Sequence, residues 1–247
     1  MRKTILPALL ISLFFLASCS STGTVYEYHS AKEEHLYFEI DNSLPDDPEM
    51  AAYLAPHIRD MAKKMDRVIT VSDGIFEKSS PEGPLGNLTA DIVRSRATAE
   101  MRETVHVGIL NNGGLRVPLP QGEITVGHIY ELMPFENYIA VLRFNGKQLL
   151  SIADELARVN GEPVSGIRFR IVDGQARDVL VDSDNVDPDA YYWVATNNWM
   201  ADGGGASSTL WEPLERVNLD VLIRDAIIHN LEKKPIISPA TDQRIRN

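Results

Sequence analysis

An apolar run, Val105-His106-Val107-Gly108-Ile109-Leu110, closes on Asn111-Asn112-Gly113-Gly114-Leu115-Arg116. The run reads as a buried strand. Two amides, two glycines and an arginine at its end point to a binding loop. Adjacent glycines turn tightly and admit a ligand close to the backbone, and arginine offers a planar fork of donors for phosphate or carboxylate. The same residues also fit an ordinary turn with a solvated arginine, so the rest of the chain has to decide.

A length of 247 residues allows one domain or two small ones. The first nineteen residues differ from the rest. Arg2 and Lys3 precede a mostly apolar stretch from Ile5 to Leu16, and Leu16-Ala17-Ser18-Cys19 follows. The apolar stretch is short for a membrane span and reads as a secretory signal. The Leu-Ala-Ser-Cys ending resembles a bacterial lipobox, which implies cleavage before Cys19 and lipid attachment to its sulfur. Cys19 is the only cysteine, so no intrachain disulfide can form. The expected location is the bacterial cell envelope, lipid-anchored, periplasmic or associated with the outer membrane. Loss of the leader would take the net charge from −11 to −13, because the leader holds two basic residues and no acidic one. Bulk charge of that sign argues against nucleic-acid binding.

The organisation follows as a signal peptide (1–19), a tether and N-terminal extension (20–45) and a domain from 46 to 247. A strand is expected near Leu36–Ile40 and a helix over Asp46–Arg67, with Tyr53, Leu54, His57, Ile58, Met61 and Met65 on one face and Pro56 bending it or marking its start. Further on come a strand at Val68–Val71, a helix from Pro84 to about Ala99, and a helix or helical turn at Ile124–Met133 stopped by Pro134. Then follow a strand at Tyr138–Phe144, a turn at Asn145-Gly146 and a helix at Lys147–Val159 with Leu149, Ile152, Ala153 and Leu156 as its stripe. Strands are expected at Ile167–Val172, Val179–Val181 and Tyr191–Thr196, with a hairpin turn at Asp173-Gly174. A glycine-rich loop spans Asn198–Ser208, and a last helix Asn218–Leu231. This alternation is that of a mixed α/β (α+β) domain.

Catalytic signatures are scarce. The six histidines form no His-x-His, His-Glu-x-x-His or Asp-x-His pair, and there is no Gly-x-Ser-x-Gly elbow. Paired carboxylates such as Asp154-Glu155 read as solvated helix faces. Two aromatics stand out at element ends: Phe135 in Pro134-Phe135-Glu136-Asn137, and Trp199 ahead of Asp202-Gly203-Gly204-Gly205. Each alone fits a core residue. Together, beside amides and glycines, they fit the two walls of a cleft for a flat ring.

In order, the motifs are Pro84-Leu85-Gly86-Asn87-Leu88 with Ala90-Asp91, Asn111-x-Gly113-Gly114-x-Arg116, Gly122-x-Ile124-Thr125, Pro134-Phe135-x-Asn137 and Ala201-x-Gly203-Gly204. Their sequence resembles the C-terminal, substrate-binding domain of the 5′-nucleotidase and UDP-sugar hydrolase family, over roughly Met50 to the C-terminus. The resemblance implies layered mixed sheets with flanking helices. It also implies a base stacked between Phe135 and Trp199, ligand contacts from Asn111, Asn137 and Arg116, and a substrate loop that includes Gly113, Gly114, Asp202 and Gly203. Two positions depart from the family: Ser79 replaces an arginine, with Lys78 beside it, and Gly205 replaces a ribose-holding aspartate. Arg116 is then expected to be the one arginine left of the family's set. The family hydrolyses on a separate N-terminal metallophosphatase domain with two divalent metals, whose signatures are not found here. The expectation is therefore a nucleotide-recognition half that needs a separately encoded metallophosphatase subunit, with no catalytic residue, metal or cofactor in this chain. The rival expectations are a stand-alone lipid-anchored nucleoside- or nucleotide-binding protein, and a structural protein on an inherited scaffold.

Overall fold

The structure, a computed structural model, describes residues 45–247. The signal peptide, Cys19, the tether and the strand expected at Leu36–Ile40 lie outside the described residues. Among those described, no helix is long and apolar enough to cross a membrane.

A five-stranded sheet organises the domain. β2 (Val107–Ile109), β4 (Tyr138–Asn145), β5 (Val164–Ser165), β9 (Tyr191–Asn197) and β10 (Glu215–Leu222) lie in the order β10-β4-β9-β2-β5. β4 and β9 are antiparallel, with Ile139 opposite Asn197, whereas β2 and β9 run parallel. Both faces of this sheet are buried. Ile139, Val141, Trp193 and Ala195 join one core, and Ala140, Leu142, Phe144 and Val194 join the other. A strand covered on both sides needs apolar residues at successive positions, and Ile139–Leu142 supplies them.

The first core lies between the central sheet and α2 (Pro84–Met101), α3 (Val126–Leu132) and α6 (Ile223–Leu231). A small sheet of β11 (Ile236–Ile237), β1 (Val68–Ser72) and β3 (Gly122–Thr125) adds Ile237, Ile69 and Ile124 to it. The second core is closed by α4 (Gly146–Arg158) and by a sheet of β12 (Ile245–Arg246), β6 (Ile167–Val172), β7 (Gln175–Val181) and β8 (Asp184–Asn185). The expected stripe of α4, Leu149, Ile152, Ala153 and Leu156, is buried there. The β6–β7 hairpin turns at Asp173 and Gly174, both at positive φ.

Four expectations change. Asn145-Gly146, expected as a turn ahead of a helix from Lys147, is the start of that helix, with Asn145 as its cap and Gly146 as its first residue. Asn145 Oδ1 accepts the N–H of Gln148, and the Gln148 side chain accepts the N–H of Asn145. The helix expected from Ile124 begins only at Val126, after β3, and Thr125 and His128 cap it in the same reciprocal way. The helix expected over Asn218–Leu231 is two elements, β10 up to Leu222 and α6 from Ile223. The spacing of Leu219, Leu222 and Ile223 imitated one continuous helical face. Finally, α1 (Pro48–Met65) begins ahead of Pro56 and continues past it, and none of its residues is buried. Tyr53, Leu54, Ile58 and Met61 are exposed, and of this stripe Met65 packs against the first core.

The C-terminal segment is fastened by Arg244. Its guanidinium meets both oxygens of Asp91 on α2 (2.7 Å each), Asp242 Oδ1 (2.8 Å) and the carbonyl of Val164 (2.8 Å). The side chain is only 12% exposed. Burial opposes its charge, yet the bonds and charges of Asp91 and Asp242 outweigh burial and raise its pKa. A hollow of about 300 Å³ beside it is lined by Arg94, Asp182, Arg168 and Asp242, which are paired with one another.

Candidate functional site

Strand direction gathers the expected site residues. β2 and β9 end, and β4 begins, at one end of the central sheet. Asn111 follows β2, Trp199 follows β9, and Phe135 and Asn137 precede β4. Side chains tie the three junctions together. Asn197 Nδ2 donates to Asn111 Oδ1 (3.0 Å), and Asn198 Oδ1 accepts the N–H of Tyr138 (2.9 Å). The end of β10 joins them, since the N–H of Ile223 donates to the carbonyl of Asn137 (2.9 Å).

The glycine loop is a single 3-10 turn, Asn112–Gly114, entered from a buried Asn111. Arg116 Nη1 donates to the carbonyl of Gly113 (3.2 Å), and its guanidinium carbon lies 5.9 Å from the centre of the Phe135 ring. Phe135 is 43% and Trp199 49% exposed, so neither is a core side chain. Trp199 opens a short helix, α5 (Asn198–Ala201), capped by Asn197 Oδ1. The indole lies flat on Gly204: a Cβ built there would fall 2.3–2.6 Å from Cδ2, Cε2 and Cε3. One face of the indole is therefore covered by backbone, and glycine is required for that contact. Gly205, at φ +82°, takes a backbone conformation that an aspartate would strain.

The structure turns Asp202 toward Arg216 of β10 (2.6 Å), whose Nε donates to Asn218 Oδ1 (2.8 Å). Arg216 was missed in the sequence, and Arg116 is thus not the only arginine near these loops. A groove of about 410 Å³ runs past Tyr138, Asn198, Asp202, Arg216, Asn218 and Asp220. β10 bulges between Asn218 and Leu222, which re-aims the side chains of Leu219 and Asp220 along it. The Ser79 hydroxyl donates to the carbonyl of Glu82 in its own turn (2.5 Å). Gly203 sits at φ +108° in the turn between Asp202 and Gly204.

Glu155 of α4 holds the second glycine loop. It accepts bonds from the hydroxyl of Ser207, the hydroxyl of Ser208 (2.9 Å), and both the N–H and hydroxyl of Thr209 (3.2 Å each). Burial alone would raise its pKa, but these bonds outweigh it and hold the carboxyl below the ordinary 4.5. A folded pKa below the unfolded one stabilises above the unfolded value and is lost as pH falls through the folded value. Acid titration should therefore loosen this loop. The fluorescence of Trp199 and Trp211 is expected to shift on acidification below about pH 4.5 in the native chain. Glu155→Gln should show the loosened signal already at neutral pH, and identical titrations of the two proteins would refute this role.

Two of the described histidines make backbone hydrogen bonds. His106 Nδ1 accepts the N–H of Trp193, and His128 serves the α3 cap. Among the described residues no group of three or more His, Cys, Asp or Glu side chains could hold a metal ion.

Half-exposed aromatics, amides and glycine turns thus gather on one end of a doubly covered sheet. The chain belongs to the family described as 5′-nucleotidase, C-terminal domain, whose profile matches residues 67–211. It is 34% identical over 129 residues to "Endonuclease YhcR" of Bacillus subtilis (strain 168), covering 50% of this chain and 10% of that protein. It is 29% identical over 184 residues to "Trifunctional nucleotide phosphoesterase protein YfkN" of the same organism, covering 67% and 12%. The solved structure of the 5′-nucleotidase precursor from Thermus thermophilus superposes with a TM-score of 0.69 at 25% identity, covering 83% of this chain and 44% of that one. The chain thus spans less than half the length of these relatives.

Proposed function

We propose that residues 46–247 are the nucleoside- or nucleotide-recognition half of a 5′-nucleotidase-type hydrolase, with phosphate-ester cleavage on a separately encoded metallophosphatase. The observation that carries this reading is the pair of half-exposed rings, Phe135 and Trp199, on hydrogen-bonded strand ends beside Asn111, Asn137 and Arg116. A base would stack on the open face of Trp199 and against Phe135, with Asn111 and Asn137 near its edges. Arg116 supplies the positive charge for the anionic side of the ligand. Asp202, fixed by Arg216, supplies an acceptor for hydroxyl groups close to Trp199. Two divalent metals on the partner would activate water and clamp the phosphate. Lipid on Cys19 would keep the pair at the cell envelope.

The test uses the mature chain. Calorimetry with adenosine, AMP and a UDP-sugar is expected to show saturable binding. Phosphate release is expected only with a metallophosphatase and divalent metal present, at a rate above that of the metallophosphatase alone. Absence of binding to all three ligands would defeat the recognition role. Binding without any gain in activity would leave a stand-alone binding protein instead.

A further inference from the structure

One residue of the first glycine loop is gripped from both sides by opposite charges. The N–H of Asn112 donates to Glu162 Oε2 (2.6 Å), while Lys78 Nζ donates to the carbonyl of the same Asn112 (3.3 Å) and to that of Leu115 (3.2 Å). Glu162 lies in the turn between α4 and β5, and Lys78 in the segment after β1. Two stretches distant in sequence therefore converge on one residue. Burial pushes the Glu162 carboxyl up, and the backbone and side-chain bonds with Asn112 and the charge of Lys78 offset that only in part. A partly buried carboxylate is costly as a mere packing group. The turn itself does not require it, since Gly114 and Leu115 already donate to the carbonyls of Asn111 and Asn112. What the charges do fix is where the turn sits. From Asn112 the path runs to the carbonyl of Gly113, which holds Arg116 Nη1 (3.2 Å), and so to Phe135.

We propose that Lys78 and Glu162 are positioning residues, an anion–cation brace that sets the Asn112 peptide and thereby holds Arg116 beside Phe135 for ligand binding. The inference rests on the recognition reading above, but its structural half can be measured without ligand.

Glu162→Gln keeps the shape and an acceptor oxygen and removes the charge. Its affinity for AMP is expected to fall about tenfold, as for loss of one charge-assisted bond. Lys78→Met should lose a similar amount, and Lys78→Arg should restore most of it. The double variant should lose less than the two single losses combined, because one brace is removed twice. In ligand-free protein, amide exchange at Asn112, Gly113 and Gly114 should quicken at least about tenfold in both charge-removing variants while the melting temperature stays unchanged. Native affinity in both variants would overturn the brace. So would weakened binding with unchanged exchange at Asn112, which would make Lys78 or Glu162 a direct ligand contact. If the native chain binds no nucleotide, the recognition reading fails and the exchange measurement alone decides the brace. Lys78 is exposed, so its variants remain informative should Glu162→Gln fold poorly.

Discussion

Replacing Trp199 with alanine is expected to raise the dissociation constant for AMP by roughly ten- to a hundredfold. Stacking of a base on an aromatic side chain contributes about 1–3 kcal/mol by alanine substitution, and each 1.4 kcal/mol is about a factor of ten. Phe135→Ala should fall in the same range. Gly204→Ala is the more discriminating variant, because Gly204 packs beneath the indole. A methyl at Gly204 would occupy the space of the indole fused bond, 2.3–2.6 Å from three ring atoms, so the ring must leave its bed. Its affinity should drop as far as that of Trp199→Ala, with the melting temperature little changed. Tyr191→Ala, at the opposite end of β9, serves as the control and should bind normally. Normal binding by Trp199→Ala and Phe135→Ala together would remove the stacking cleft from consideration.

The largest effect on stability is expected from Arg244→Ala. The loss leaves Asp91 without its cation, leaves Asp242 with Arg168 alone, and frees the carbonyl of Val164. Breaking such a pair inside a core costs about 3–5 kcal/mol. Asp91 and Asp242 are 49% and 45% exposed, so water recovers part of it and about 2–3 kcal/mol is the reasonable figure. For a domain of this size that is roughly 5–10 °C in melting temperature. Arg244→Lys should recover little, because one ammonium cannot span Asp91, Asp242 and a carbonyl at once. A calorimetric melting temperature within about 2 °C of the native value would show that the C-terminal segment is held by other contacts.

Much of this architecture was legible because local signals and burial agree. The apolar runs at Val107–Ile109, Tyr138–Asn145 and Tyr191–Asn197 are strands, and the spacing of Leu149, Ile152, Ala153 and Leu156 is that of a helix face. The α/β class followed from their alternation. The errors arose where one local pattern served two structures. Asn145-Gly146 fits a free turn and an N-cap equally until Gln148 is seen closing the capping box. Leu219, Leu222 and Ile223 fit a helix until β4 claims Glu215–Leu222 as its neighbour. The loops at the sheet end could be picked out from glycines, amides and aromatics. Their supports could not, because Glu162 meets Asn112 across 50 positions and Glu155 meets Ser207 across 52. No local spacing encodes such pairs; only the completed fold brings them together.

The doubly covered sheet has a consequence for how the proposed cleft can change. Phe135 and Arg116 hang from Leu132, Met133 and Leu115 in one core, whereas Trp199 leads into Met200 and Ala201 in the other. The two walls thus have separate foundations and share only the sheet between them. A substitution that repacks one core shifts one wall and leaves the other in place. Ligand preference in such a domain can drift by adjusting a single wall, with the hydrogen-bonded strand ends keeping the two in register throughout.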